Sequence, residues 1–195
     1  VGKDKKGDSY MGSIVIFIDG GYIEKVTMEE FEGVHIDYKL LSEEIAKIVS
    51  PNSELLRTYY YNCLPYKNDP PTNEESLRFG KRQRFYYALE RIPRFEVKLG
   101  WLDKRGPNDF VQKMVDTLLS IDLVYLSSKG KITHAAIIAG DGDFVPAIKV
   151  AKTEGISIWL FHGESKHSHL WQIADERRRI DEDLIEKTRL IQNDE

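Results

Sequence analysis

The chain has a single cysteine, Cys63, in 195 residues. It therefore has no internal disulfide, and a zinc site built on several cysteines is excluded. Long apolar runs are missing as well. The longest near the amino terminus is Ile14 to Ile18, far short of the ~20 residues that a membrane-spanning helix needs. That run also lacks the h-region length and small-residue cleavage site of a signal peptide. There is no basic excess: 28 Lys and Arg stand against 32 Asp and Glu, a net charge of −4. Such a balance argues against a protein that coats DNA with its whole surface, though not against a local nucleic-acid site. No G-x-G-x-x-G follows the first β-branched run and no Walker lysine is present, so a nucleotide-cofactor domain finds no support. What remains is an ordinary globular composition, 41% apolar and 31% charged, in a chain long enough for one domain with a proper core. The expected location is the cytoplasm, with no membrane partner.

Residues 1–12 are polar and aperiodic. They read as a disordered leader, with Met11 a plausible native start. Residues 13–195 read as one domain with a helical tail. Within it, apolar strand patterns alternate with helical ones. Strands are expected at 13–18, 55–64, 95–102, 132–139 and 156–162. Helices are expected at 37–49, 76–90, 110–126 and 144–154, with closing helical pieces at 170–175 and 180–190. This alternation predicts βαβ units, hence a three-layer α/β/α sandwich around a mainly parallel five-stranded sheet.

In such sheets ligands bind beyond the carboxyl ends of the strands. Two strands end in aspartate there: Ile14–Ile18 runs into Asp19, and Ala136–Ala139 into Gly140-Asp141-Gly142-Asp143. The competing reading makes one of the latter pair a helix N-cap, Asp143 before Asp141. Helical spacing would align Asp109, Lys113, Asp116 and Ser120 in a polar stripe beside Met114, Val115, Leu118 and Leu119. There Asp116 is either a third carboxylate of the site or the partner of Lys113 in a surface ion pair. Asp122, about 120° further round the helix, is expected to cap or hydrogen-bond behind the other carboxylates. Aspartates converging on one crevice repel one another. A hard divalent cation such as Mg²⁺ or Mn²⁺ relieves that repulsion and suits oxygen ligands. A phosphatase of the haloacid dehalogenase type would need an aspartate two residues after Asp19, where Gly21 stands.

The segments IVIFIDGGY at 14–22, QKMVDTLLSID at 112–122 and HAAIIAGDGDFVPAIKVAKTEGISIWLF at 134–161, with the weaker SHLWQIADERRRID at 168–181, resemble the NYN-domain branch of the PIN-like nucleases. The resemblance implies a PIN-like Rossmannoid fold and metal-dependent RNA cleavage. It assigns Asp19, Asp116, Asp141 and Asp143 as metal-binding and catalytic carboxylates, Lys113 as the lysine preceding the helix aspartate, and Asp122 as a further acidic position. Two departures stand out. Tyr22 occupies the usual Asn position of the first motif, where it is expected to contact substrate, and Ala139 replaces the usual Ser before Gly-Asp.

Residues 77–105 hold nine basic and three acidic side chains together with six aromatics. Phosphate contacts are expected from Lys81, Arg82 and Arg84 at the surface, with Phe85, Phe95 and Trp101 in the core. His162, His167 and His169 fit no common zinc spacing and read as a polar loop near the site. In the tail, Ile180, Leu184, Ile185 and Ile191 pack either on the body or on a second subunit. The leading expectation is a metal-dependent ribonuclease acting on single-stranded or structured RNA. The alternatives are a non-catalytic RNA-binding or regulatory module that keeps the acidic pocket, and an oligomeric interaction domain.

Overall fold

The computed structural model describes residues 12–106 and 110–191; the expected leader, apart from Gly12, lies outside them. The first half runs β1 (Ser13–Asp19), α1 (Gly20–Glu30), α2 (Tyr38–Val49), β2 (Glu54–Cys63), α3 (Asn73–Glu90), β3 (Phe95–Lys104) and β4 (Phe110–Lys113). The second half runs α4 (Val115–Ser128), β5 (His134–Ile138), a 3-10 turn (Gly142–Phe144), α5 (Val145–Thr153), β6 (Ser157–His162), α6 (Ser168–Ile173), β7 (Glu176–Arg179) and α7 (Glu182–Thr188).

β1 is the centre of the sheet. All of Ile14 to Ile18 are buried, because helices cover both faces. Val15 and Phe17 join Leu119, Leu123, Ile148 and Leu160 on one side, while Ile14, Ile16 and Ile18 join Ile23, Leu41 and Ile45 on the other. A strand buried on both faces carries no polar alternation, which is why it reads as one continuous apolar run. Side-chain caps mark the helix starts: Asp37 for α2, a Thr72–Glu75 capping box for α3 and Asp181 for α7.

The strand order is β4-β3-β2-β1-β5-β6-β7. Every neighbouring pair is parallel except β3–β4. The sheet is thus mixed and seven-stranded, not five-stranded. The two additions lie at its edges. β7 is four exposed residues, Glu176 to Arg179, on which no apolar pattern could register. It lies between the two expected closing helical pieces, 170–175 and 180–190, the second of which forms only as the short α7.

β4 falls where a helix over 110–126 was expected. Val111 and Gln112 pair with Asp103 and Leu102 of β3. Met114 then takes a left-handed conformation (φ 73°) that no helix can continue through. The stripe of Asp109, Lys113, Asp116 and Ser120 therefore does not form: Lys113 belongs to a strand, Asp116 to the first turn of α4, and Asp109 lies outside the described residues.

The tail packs on the body. Ile180, Leu184 and Ile185 are buried in the core cluster that contains α2, and Thr188 and Leu190 form backbone hydrogen bonds with Asp37 and His35. Ile191 stays exposed. Among the described residues no helix is long and apolar enough to cross a membrane.

Candidate functional site

The parallel strands step outward from β1 in both directions, β2 and β3 to one side, β5 and β6 to the other. The crevice of such a sheet opens where the order reverses, beyond the carboxyl ends of β1 and β5. Asp19 is the last residue of β1, and Asp141 lies three residues beyond the end of β5, its direct neighbour. The sheet therefore places the two Asp-Gly motifs side by side, although 122 positions separate them.

Asp19 also caps α1, accepting a hydrogen bond from the Tyr22 amide at 3.1 Å. Burial pushes its carboxyl up to about 6, and the charges of Asp116 and Asp141 push the same way, against the pull of the Tyr22 and Gly21 amides. Asp116, in the first turn of α4, is exposed as a residue; its carboxyl is raised, first by partial desolvation and then by the charges of Asp141 and Asp143. Asp141 caps the 3-10 turn by accepting from the Asp143 amide at 3.0 Å. The capping role thus falls to Asp141, not Asp143, because the chain enters a 3-10 turn before α5 begins. Asp143 stays exposed. Asp141 thus acts through space on Asp19 and Asp116, and Asp143 on Asp116. Among the described residues, however, no three His, Cys, Asp or Glu side chains are gathered tightly enough to ligate an ion outright.

Tyr22 does not present its phenol to the crevice as a free group. Its oxygen donates to the Ser165 carbonyl at 2.7 Å and accepts from the Gly163 amide at 2.9 Å. Its ring lies so close to Gly140 that a Cβ there would overlap it. The loop after β6 is fastened at two further points: Glu30 accepts from the Glu164 amide at 2.8 Å, and the His167 amide donates to the Gly140 carbonyl at 2.8 Å. This brings the His167 ring against Gly142, between Asp141 and Asp143. His162 is buried with its Nδ1 on the Gly163 carbonyl, and His167 caps α6. The histidine loop is thus one rim of the crevice. No local signal in the sequence announces this, since its anchors come from residues 22, 30 and 140.

The opposite rim is the β3–β4 hairpin. Lys113 ends β4, half-buried, three residues before Asp116. Asp122 stands apart from the other carboxylates: it accepts from Lys98 Nζ at 2.8 Å and from the Tyr61 hydroxyl at 2.8 Å, tying α4 to β3 and β2. In the basic segment, Lys81 and Arg84 are exposed as expected. Arg82 is not a free surface cation. It grips Glu24 of α1 with both guanidinium nitrogens, and Tyr60 and Asn62 donate to the same carboxylate. Glu24 and Arg82 are 58 residues apart, so no pattern in the sequence could pair them. Phe95 is buried and Phe85 packs on the core, but Trp101 is 54% exposed, because the hairpin leaves its ring outside.

The NYN domain family matches residues 13–181. The chain belongs to the NYN-domain family. Members of this family are ribonuclease-like, and the match runs from the start of β1 past the end of β7. No curated protein matches the chain. Among solved structures, the NYN fold seen here is similar to that of a protein of unknown function from Vibrio parahaemolyticus, with a TM-score of 0.68 at 15% identity, over 93% of this chain and 98% of the other. That likeness speaks for the fold alone.

Proposed function

We propose that this NYN domain is a metal-dependent ribonuclease that hydrolyses RNA phosphodiester bonds at the crevice of Asp19, Asp116, Asp141 and Asp143. The observation that carries the reading is the gathering of negative charge beyond the ends of β1 and β5: Asp19 and Asp141 leave neighbouring strands, and burial with neighbouring charge raises Asp19, as partial desolvation with neighbouring charge raises the exposed Asp116. The donors are oxygens only, which suits Mg²⁺ or Mn²⁺ and not zinc. An ion of this type keeps several of its waters and takes one or two carboxylates together with substrate phosphate, so a loosely gathered set of aspartates is a fitting host. When bound, such an ion supplies charge neutralisation of the phosphate and a more acidic water. Asp19, fixed by its capping bond, and Asp141, fixed by its own turn, orient the donors. Lys113 holds a phosphate oxygen at the hairpin rim and offsets the charge that develops as water attacks phosphorus and the P–O bond breaks.

Purified protein should cleave single-stranded and structured RNA with Mn²⁺, and EDTA should stop it. Asp141→Asn should lower the rate by about 100-fold or more. A wild type that is inert with every divalent ion, or full activity in Asp141→Asn, overturns the reading. The second reading, a non-catalytic RNA-binding or regulatory module, draws on Tyr22: its hydroxyl is engaged by Gly163 and Ser165 and does not offer an amide to a ligand or water. Tight RNA binding that ignores EDTA, without cleavage, would select it.

A further inference from the structure

The register of the sheet makes the β3–β4 hairpin a wall. Asp19 pairs with Tyr61 and Tyr61 with Lys98, whereas β3 continues to Lys104. Six residues of β3 thus rise beyond the level of Asp19, about 20 Å of strand. The wall leans over the crevice, since the Gln112 amide stands beside Gly21, two residues past Asp19. Successive side chains of a strand alternate in face, so Phe110 shares Gln112's face, about 7 Å further along. Lys104 is directly opposite Phe110 in the antiparallel pairing.

On that face the rings of Phe110 and Tyr66 lie 5.1 Å apart, and Lys104 Nζ sits 5.1 Å from the Tyr66 ring and 5.9 Å from the Phe110 ring. Tyr66 comes from the loop after β2, whose Lys67 covers the Phe79 ring at 4.2 Å. Phe110 is 40% exposed. Among the described residues this cluster ties the hairpin to that loop, with Lys104 Nζ also donating to Asn68 Oδ1 at 3.3 Å, yet packing alone does not require rings left half-open at the end of an edge hairpin. A core residue would be covered, and a solvated tip would be polar.

We propose that this hairpin is a stacking platform for unpaired RNA bases, built from Tyr66 and Phe110 with Lys104 on the adjoining phosphate, and leading along Gln112 to the carboxylate crevice. Aromatic faces accept any base, and a lysine beside them holds the backbone without reading sequence. A base in a duplex has its faces covered, so the platform selects single strands. The proposal rests on RNA being the ligand of the crevice, as both readings of the function have it.

The test is fluorescence anisotropy with a labelled single-stranded U-rich 12-mer and with the matching RNA duplex, in EDTA so that cleavage plays no part. Wild type should favour the single strand. The Tyr66→Ala/Phe110→Ala double variant should bind it about tenfold more weakly, with the salt dependence unchanged. Lys104→Ala should instead lower the salt slope by about 0.7. Tyr66→Phe and Phe110→Trp keep a ring and should keep affinity, which separates lost stacking from a lost fold. Unaltered affinity in the double variant, a preference for duplex, or no single-strand binding by wild type overturns the platform. Failure of wild type to cleave with any divalent ion would strike the nuclease reading alone and leave these binding results standing.

Discussion

Asp19 ends a strand, caps a helix and faces two other carboxylates, and its proton reports all three. Its carboxyl is raised from 3.8 to about 6 in the folded protein. Between those values the folded state holds a proton that the unfolded chain has already released, so stability is greatest below 3.8, falls as pH rises through the window, and levels off above about 6. The burden at neutral pH is on the order of 2–3 kcal/mol. Asp19→Asn removes the charge and keeps an oxygen that can still cap α1. We expect it to melt roughly 6–10 °C higher at pH 7, to lose the decline between pH 4 and 6, and to lose cleavage. Mn²⁺ should raise the wild-type melting temperature more at pH 7 than at pH 5. Melting curves across this range decide the matter, and a variant with the wild-type pH profile would refute the placement of that charge. That Asp19 and Asp141 stand beyond the ends of strands was legible in the sequence, because each follows an apolar run and is flanked by glycine. What holds the neighbouring side chains was not. The partners of Tyr22 are residues 163 and 165, and that of Arg82 is residue 24; such bonds exist only once the sheet has brought those segments together.

The elements with strong internal patterns were predicted with bounds within a few residues of those observed: α2 through its apolar spacing, β1 through its unbroken apolar run, β3 through alternation. β4 failed that test. Val111, Val115, Leu118 and Leu119 continue a helical rhythm across it, and four residues are too few to declare a strand. Its pairing with β3 and the left-handed Met114 decide the structure, and both are tertiary facts. The loop after β6 is a comparable case on the other rim. Tyr22 Oη supplies two of its anchors. Tyr22→Phe leaves the Gly163 amide without that partner and should cost about 1–3 kcal/mol. Faster proteolytic cutting confined to residues 163–167, with a modest drop in melting temperature, is the expected pattern. Resistance equal to wild type would show that Glu30 and Gly140 suffice.

Across the whole molecule, charge is distributed by function and by packing. Of the basic residues in 77–105, Arg82, Arg94 and Lys98 are tied to Glu24, Glu54 and Asp122. Lys81 and Arg84 remain at the surface of α3, and Lys104 lies on the hairpin tip. The −4 net charge therefore coexists with exposed cations on α3 and on the β3–β4 hairpin. Asp122 serves the assembly itself, since it joins α4 to two strands while three-quarters or more of its side chain and that of Lys98 is covered. Asp122→Ala strands a largely covered lysine, and a loss of about 2–3 kcal/mol, or roughly 6–10 °C in melting temperature, is expected. The rate constant of the folded fraction should hold. A collapse of turnover without loss of stability would instead put Asp122 in the crevice's chemistry. The fold class was legible because alternating strand and helix patterns admit few arrangements; the edge strands were not, because an edge needs little apolar surface.

The position of β1 has a consequence for motion. Amides of a fully buried central strand exchange with solvent only when the whole domain opens, whereas an edge hairpin and a loop fastened by a few hydrogen bonds open locally at far lower cost. Asp19 is therefore expected to hang from a slowly exchanging segment, and the two rims to belong to faster ones, which amide hydrogen exchange would show. On the proposed nuclease reading, Asp19 would keep its place while the walls on either side open locally, so that a strand of RNA would enter and leave without disturbing it.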